Sequence, residues 1–142
     1  MIFAKAILTD KPIKIFNNGK MRRDFTYIDD VVDGIIRCCN KIATPDSNFD
    51  FLNPDPSSSF APHRLFNLGN NSPIGLLDFI GILEDAIGKK AIKEFEPMQP
   101  GDVESTAADI SKLNDWVGYK PFTSIEEGIS KFVKWYRDFY GY

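Results

Sequence analysis

Apolar residues along the chain recur with helical spacing in four places and alternate in one. Ile2, Phe3, Ala6 and Ile7 predict a helix that begins at Met1 without a capping residue before it, as expected of a chain cut inside an element. Lys11-Pro12 breaks it, and Ile13-Lys14-Ile15-Phe16 alternates as a short strand. Asn17-Asn18-Gly19-Lys20 reads as a turn, followed by an extended segment from Asp24 to Ile28. A second helix follows, capped by Asp29 or Asp30, whose buried face is expected at Val31, Val32, Ile35, Ile36, Cys39 and Ile42.

The pattern then lapses. Thr44 to Pro62 is rich in Pro, Ser, Asp and Asn and predicts a long, flexible loop with a few Phe anchors, placed to shape access near a ligand. Leu65-Phe66-Asn67-Leu68-Gly69 reads as a buried strand, and Ser72-Pro73 as a helix start. Leu76, Ile80, Leu83 and Ile87 mark a helix ended by Gly88. Ala91 to Phe95 reads as a strand, Asp109 caps a short helix stopped by Gly118, and Thr123-Ser124-Ile125-Glu126 has capping-box spacing. The last helix is expected to bury Ile125, Ile129, Phe132, Val133, Tyr136 and Phe139. The mixture is α/β in flavour, without internal repeats.

Composition narrows the function. With 142 residues, 43% hydrophobic and 26% charged, the chain fits one ordinary globular domain. A net charge of −3 argues against a nucleic-acid partner, and no apolar run approaches the ~20 residues of a membrane helix. No signal-peptide layout is present. The only cysteines, Cys38 and Cys39, are adjacent and unsuited to pairing with each other, so a reducing cytoplasm fits. One histidine leaves no His-rich metal site, and His63 lacks a nucleophile partner in any recognisable arrangement. Twelve Phe residues are many; they describe either a dense core or a surface that faces another part of the protein.

Two runs carry candidate chemistry. Arg22 and Arg23 follow a turn, and a guanidinium fork suits phosphate, although a basic turn can equally make ordinary surface pairs. Gln99-Pro100-Gly101-Asp102 forms a sharp turn that offers an amide and a carboxylate to one side, suited to vicinal hydroxyls, or is a plain surface turn. Phe16 can stack on a base or pack in the core.

Met21 to Asp30 with Val31-Val32-Asp33-Gly34, Phe66-Asn67-Leu68-Gly69 with Ser72, Met98 to Val103, and Ala107-Ala108-Asp109 resemble, in order and spacing, extended short-chain dehydrogenase/reductases. These are the NAD-dependent sugar-nucleotide epimerases and dehydratases. Gln before Pro-Gly-Asp, and Phe132-Val133-Lys134-Trp135-Tyr136-Arg137-Asp138-Phe139-Tyr140, make the UDP-glucuronate 4-epimerases the nearest resemblance. The resemblance implies an α/β fold, the C-terminal substrate-binding part of an extended Rossmann-type epimerase. It implies that Arg23 binds UDP phosphates, that Lys14 to Phe16 lies beside uracil and that Asp102 holds the ribose hydroxyls. Gln99 stands where UDP-galactose epimerases have an arginine that helps with phosphate.

In full enzymes of that family NAD oxidises the sugar at C4, with a Tyr base and a Lys that lowers its pKa. Neither Tyr-x-x-x-Lys nor a Gly-x-x-Gly-x-x-Gly turn occurs here, so the dinucleotide-binding half is lacking. Four expectations follow. The chain binds a UDP-sugar but no NAD of its own. It is inactive as an epimerase alone. It exposes an apolar face towards the missing Rossmann half. It self-associates or is marginally stable. The activity would serve polysaccharide precursor synthesis. A non-catalytic binding module, and a part of a related dehydratase or decarboxylase, are the alternatives.

Overall fold

The computed structural model describes residues 1–142. Its elements run α1 (Ile2–Leu8), β1 (Pro12–Ile15), a 3-10 turn (Phe16–Gly19), β2 (Arg22–Arg23), α2 (Ile28–Cys39), β3 (Ile74–Gly75), α3 (Leu76–Ile87), β4 (Ile92–Phe95), α4 (Ser111–Val117) and α5 (Ile125–Tyr140). The strands form two small sheets. β1 pairs in parallel with β4, with Pro12 opposite Ile92 and Ile15 opposite Phe95. β2 pairs antiparallel with β3, Arg22 opposite Gly75.

The core lies where the helical periods predict it for α1, α3 and α5. Ala4, Ile7, Ile13, Ile15, Ile80, Leu83, Ile87, Ile129 and Val133 form one buried cluster, flanked by Phe3, Ile125 and Phe132. β1 contributes by alternation, with Ile13 and Ile15 inward and Pro12 and Lys14 outward. Left-handed Gly88 and Gly118 end α3 and α4 as expected. The Thr44–Pro62 segment carries no helix or strand; Phe49, Phe51 and Phe60 cluster within it, and Lys112 of α4 pins it through Asp55 at 2.7 Å.

Several expectations are corrected. Neither Asp29 nor Asp30 caps α2: Tyr27 occupies the N-cap position, with no side-chain cap bond. Asp30 is buried instead and accepts from the backbone N–H of Phe122 and Thr123 and from the Thr123 hydroxyl. The apolar stripe of α2 faces outward: Val32, Ile35, Ile36 and Cys39 are exposed, Ile35 by 52% and Ile36 by 54%, as is Ile42 beyond the helix end. The inner face of α2 is Gly34, where an added Cβ would meet Leu68 at 3.0 Å and Tyr119 at 3.1 Å. Leu65 to Gly69 forms no strand, apart from an isolated bridge at the preceding Arg64, and Leu65 is exposed rather than buried. A strand needs a neighbouring ladder, and none is offered to this segment.

The Ser72-Pro73 helix start is also displaced. Ile74 and Gly75 first pair with β2, and α3 begins at Leu76. Ile110, not Asp109, occupies the N-cap position of α4, although the Asp109 carboxylate accepts from the Ser111 N–H at 2.9 Å. Ser124 caps α5 by accepting from the Glu127 N–H at 3.2 Å, one residue later than the Thr123 frame. Phe139 on α5 is exposed by 67%, whereas Ile129, Val133 and Tyr136 are buried.

Candidate functional site

The two chemistry-bearing runs meet on one edge of the molecule. After β4, the backbone crosses beside the 3-10 turn: the Glu96 N–H donates to the Ile15 carbonyl, and the Asn18 N–H to the Glu96 carbonyl. It then turns through Gln99 to Asp102, where the Asp102 N–H donates to the Gln99 carbonyl and Gly101 takes a left-handed φ of 84°. From there it runs along β2. The Arg22 N–H donates to the Glu104 carbonyl at 2.9 Å and the Thr106 N–H to the Arg22 carbonyl at 3.2 Å.

This path distinguishes the two arginines. Neighbouring residues of a strand point to opposite faces. Arg22 reaches the Pro73 carbonyl at 2.6 Å, tying β2 to the chain before β3. Arg23 turns to the other run: Nη2 lies 2.9 Å from Asp102 Oδ1, across 79 residues of sequence, while Nη1 donates to the Arg22 and Glu104 carbonyls. A guanidinium carries five N–H donors in a fixed plane. These three bonds fix its orientation and leave the edge containing Nε–H without a protein acceptor. Asp102 is held from its own side by the Val103 N–H, at 2.8 Å.

Lys14, Phe16 and Gln99 complete the five predicted site residues. Lys14 points outward from β1, largely exposed, with Nζ 3.4 Å from Glu96. Phe16 opens the 3-10 turn and is half-buried, so its ring is neither a core side chain nor fully free. Gln99 is exposed at the start of the turn that carries Asp102. The structure thus joins Arg23 to Asp102 directly. It places Lys14 and Phe16 along the strand and turn that the 96–102 segment crosses. A separate apolar cavity of about 360 Å³ is lined by Phe25, Tyr27, Phe79, Ile129 and Phe132, among others, and by none of these five residues.

The site also uses Asp24, whose local sequence offers no clue to its role. Its carboxylate accepts backbone N–H groups from Asn71 at 3.0 Å, Ser72 at 3.2 Å and Ala108 at 3.1 Å. Only the three-dimensional path brings those donors, 47 to 84 residues away, to one carboxylate.

Comparison with known proteins identifies the family of the chain. The family model described as GDP-mannose 4,6 dehydratase matches residues 1–132, and the chain belongs to that family of sugar-nucleotide epimerases and dehydratases. Protein CapI of Staphylococcus aureus is 44% identical over 138 residues, a match covering 97% of this chain and 41% of that protein. A probable UDP-glucuronate 4-epimerase of Rhizobium meliloti is 41% identical, with 94% of this chain and 40% of that protein covered. Among solved structures, UDP-glucuronic acid 4-epimerase from Bacillus cereus in complex with NAD superposes with a TM-score of 0.74 at 30% identity. That match covers 98% of this chain and 38% of the other. The chain therefore spans about two fifths of the length of the bacterial relatives it matches. No helix is long and apolar enough to cross a membrane.

Whether these residues could hold the NAD seen in that relative is a question of donor chemistry. A dinucleotide site needs closely spaced glycines that let the backbone approach the pyrophosphate. The glycines here fall at positions 19, 34, 69, 75, 81, 88, 101, 118, 128 and 141, none in such a cluster. The glycine turn that cradles a pyrophosphate is not among these residues.

Proposed function

We propose that this chain is the sugar-nucleotide-binding part of a UDP-glucuronate-type 4-epimerase, and that its own task is to hold the UDP portion of the substrate. The observation that carries this reading is the pairing of Arg23 with Asp102, which sets a phosphate-type donor beside a carboxylate suited to ribose hydroxyls. The free Nε edge of Arg23 accepts contact from a diphosphate oxygen without giving up the three bonds that orient the side chain. Asp102, already held by Val103, grips the vicinal hydroxyls with its remaining acceptor capacity. The backbone from Lys14 to Phe16 flanks the base. Gln99 contributes an uncharged amide at the phosphate end.

The redox step belongs to a dinucleotide-binding part of the kind the longer relatives have room for, and it is there that we place NAD. The exposed stripe of α2, with Ile28, Val32, Ile35 and Ile36, is the surface we assign to contact with that part. The Leu65–Leu68 segment, which pairs with no strand, is assigned to the same contact. On this reading the chain alone binds a UDP-sugar and does not epimerise it. A copy-to-copy association through the same apolar surface competes when the other part is absent.

A thermal melt of the purified chain with and without UDP-glucuronate tests the reading, beside Arg23→Ala. A ligand that binds only the folded state at about a hundredfold excess over Kd adds about 2.7 kcal/mol. A saturable rise in Tm that vanishes in Arg23→Ala supports the assignment. A cooperative melt that does not move with ligand overturns it for this chain.

A further inference from the structure

We propose that Asp24 is the positioning residue that assembles this site, acting through Arg23 and the 102–108 segment rather than by touching the ligand. The proposal deepens the nucleotide-binding reading above. Asp24 follows Arg23 directly, and its two carboxylate oxygens accept three backbone N–H groups from two distant segments. Ala108 lies at the end of the segment that carries Asp102 and Glu104, two of the three residues that orient Arg23. The bond from Ala108 continues the ladder begun by the Arg22–Glu104 and Thr106–Arg22 bonds, so residues 22 to 24 hold residues 104 to 108 at three successive points. β2 itself is only two residues long. A ladder that short is marginal without support from outside the strand.

The third contact point shows how closely this junction is built. At Gly69 an added Cβ would collide with the Ala108 Cβ and lie 3.0 Å from Asp24 Oδ2. The 69–72 turn therefore sits against both the carboxylate and the segment it holds, and the carboxylate locks all three together. An ionised carboxylate is the one small side chain that accepts this many N–H groups at once. Replacing it with an amide turns one acceptor into a donor that faces backbone donors.

Asp30 provides the internal control, because it makes the same kind of bonds elsewhere: it accepts from Phe122, Thr123 and the Thr123 hydroxyl. Asp24→Asn and Asp30→Asn are compared in the full chain by amide hydrogen exchange, by the Arg23 Nε–H resonance and by titration with UDP. The expected result for Asp24→Asn is loss of protection at Thr106 and Ala108, a shifted Arg23 resonance and about tenfold weaker UDP binding. Asp30→Asn loses stability but keeps those three signals. If Asp24→Asn does not fold, Asp24→Glu retains the charge on a longer arm and is expected to fold with the Arg23 resonance displaced.

Two results overturn the proposal. One is unchanged protection at Thr106 and an unchanged Arg23 resonance in the Asp24 variants. The other is equal disturbance of these signals by Asp30→Asn, which marks Asp24 as merely structural. Failure of the unaltered chain to bind UDP rejects the nucleotide-binding reading. The exchange and resonance data then still decide whether Asp24 positions Arg23.

Discussion

α2 and α5 are both amphipathic helices, and the fold treats them in opposite ways. α5 turns Ile129, Val133 and Tyr136 inward, and Ile129 and Val133 join the cluster that α1, β1 and α3 complete. α2 turns only Asp30 and Gly34 into buried positions and leaves Ile28, Val32, Ile35 and Ile36 in solvent. An apolar stripe shows that a helix has a partner; it does not show that the partner is in the same 142 residues. One side of this molecule is a finished core, and the other is a surface with the composition of a core.

The largest effect that can test this contrast is cavity formation in the finished core. Leu83 of α3 is fully buried in that cluster, and Leu83→Ala is expected to cost about 2–5 kcal/mol in chemical denaturation. The same kind of truncation on the outward stripe, Ile36→Ala, is expected to change stability by less than about 0.5 kcal/mol. Comparable losses at the two positions would show that the two helices are packed alike in the isolated chain.

A smaller effect sharpens the description of the core side. Glu84 is buried in α3, bonded to Lys93, to the Ala91 N–H at 3.0 Å and to Lys90 at 3.1 Å. Burial pushes its carboxyl up, but the lysines and the backbone N–H outweigh burial and hold it at about 2, below its ordinary 4.5. A depressed carboxyl gives stability that is present above the unfolded value and is lost as pH falls through the folded one. The chain should therefore lose stability between about pH 4.5 and about pH 2. Glu84→Gln, expected to cost on the order of 2 kcal/mol at neutral pH, should flatten that slope. An unaltered acid profile in the variant would place the sensitivity elsewhere, for instance at Asp55, whose carboxyl is also held low by Lys112.

What could be read from the chain divides along the same line. Period and punctuation located α1, α3 and α5 because their partners lie within the fold and their ends carry local signals such as Gly88, or the capping run at 123–126 that is one residue out of frame. Motif order marked Arg23 and Asp102, although nothing in either run states that they touch. The errors are non-local. Asp30 has the sequence position of a helix cap, yet its bonds go to residues 92 and 93 positions later. Leu65 to Gly69 has the composition of a buried strand, and no strand here offers it a ladder. Asp24 reads as one carboxylate of a motif until the fold brings Asn71, Ser72 and Ala108 to it.

The smallest effect on stability is also the most discriminating for function. Ile35→Ser places a hydroxyl where the structure already exposes about half of an isoleucine. Its folding free energy should stay within about 0.5 kcal/mol of the unaltered chain. Yet Ile35 lies among Cys38, Cys39, Phe66, Leu68 and Leu113, which together line an apolar hollow of about 370 Å³. If this is the face that meets a dinucleotide-binding part, the substitution weakens that association, and with it any self-association of the chain, while leaving UDP binding at Arg23 unchanged. Sedimentation of the chain alone, and then mixed with the N-terminal half of a relative, reads both. A variant that melts several kcal/mol early would show that α2 is covered within the chain. A variant that folds normally and associates undiminished would move the docking face away from α2.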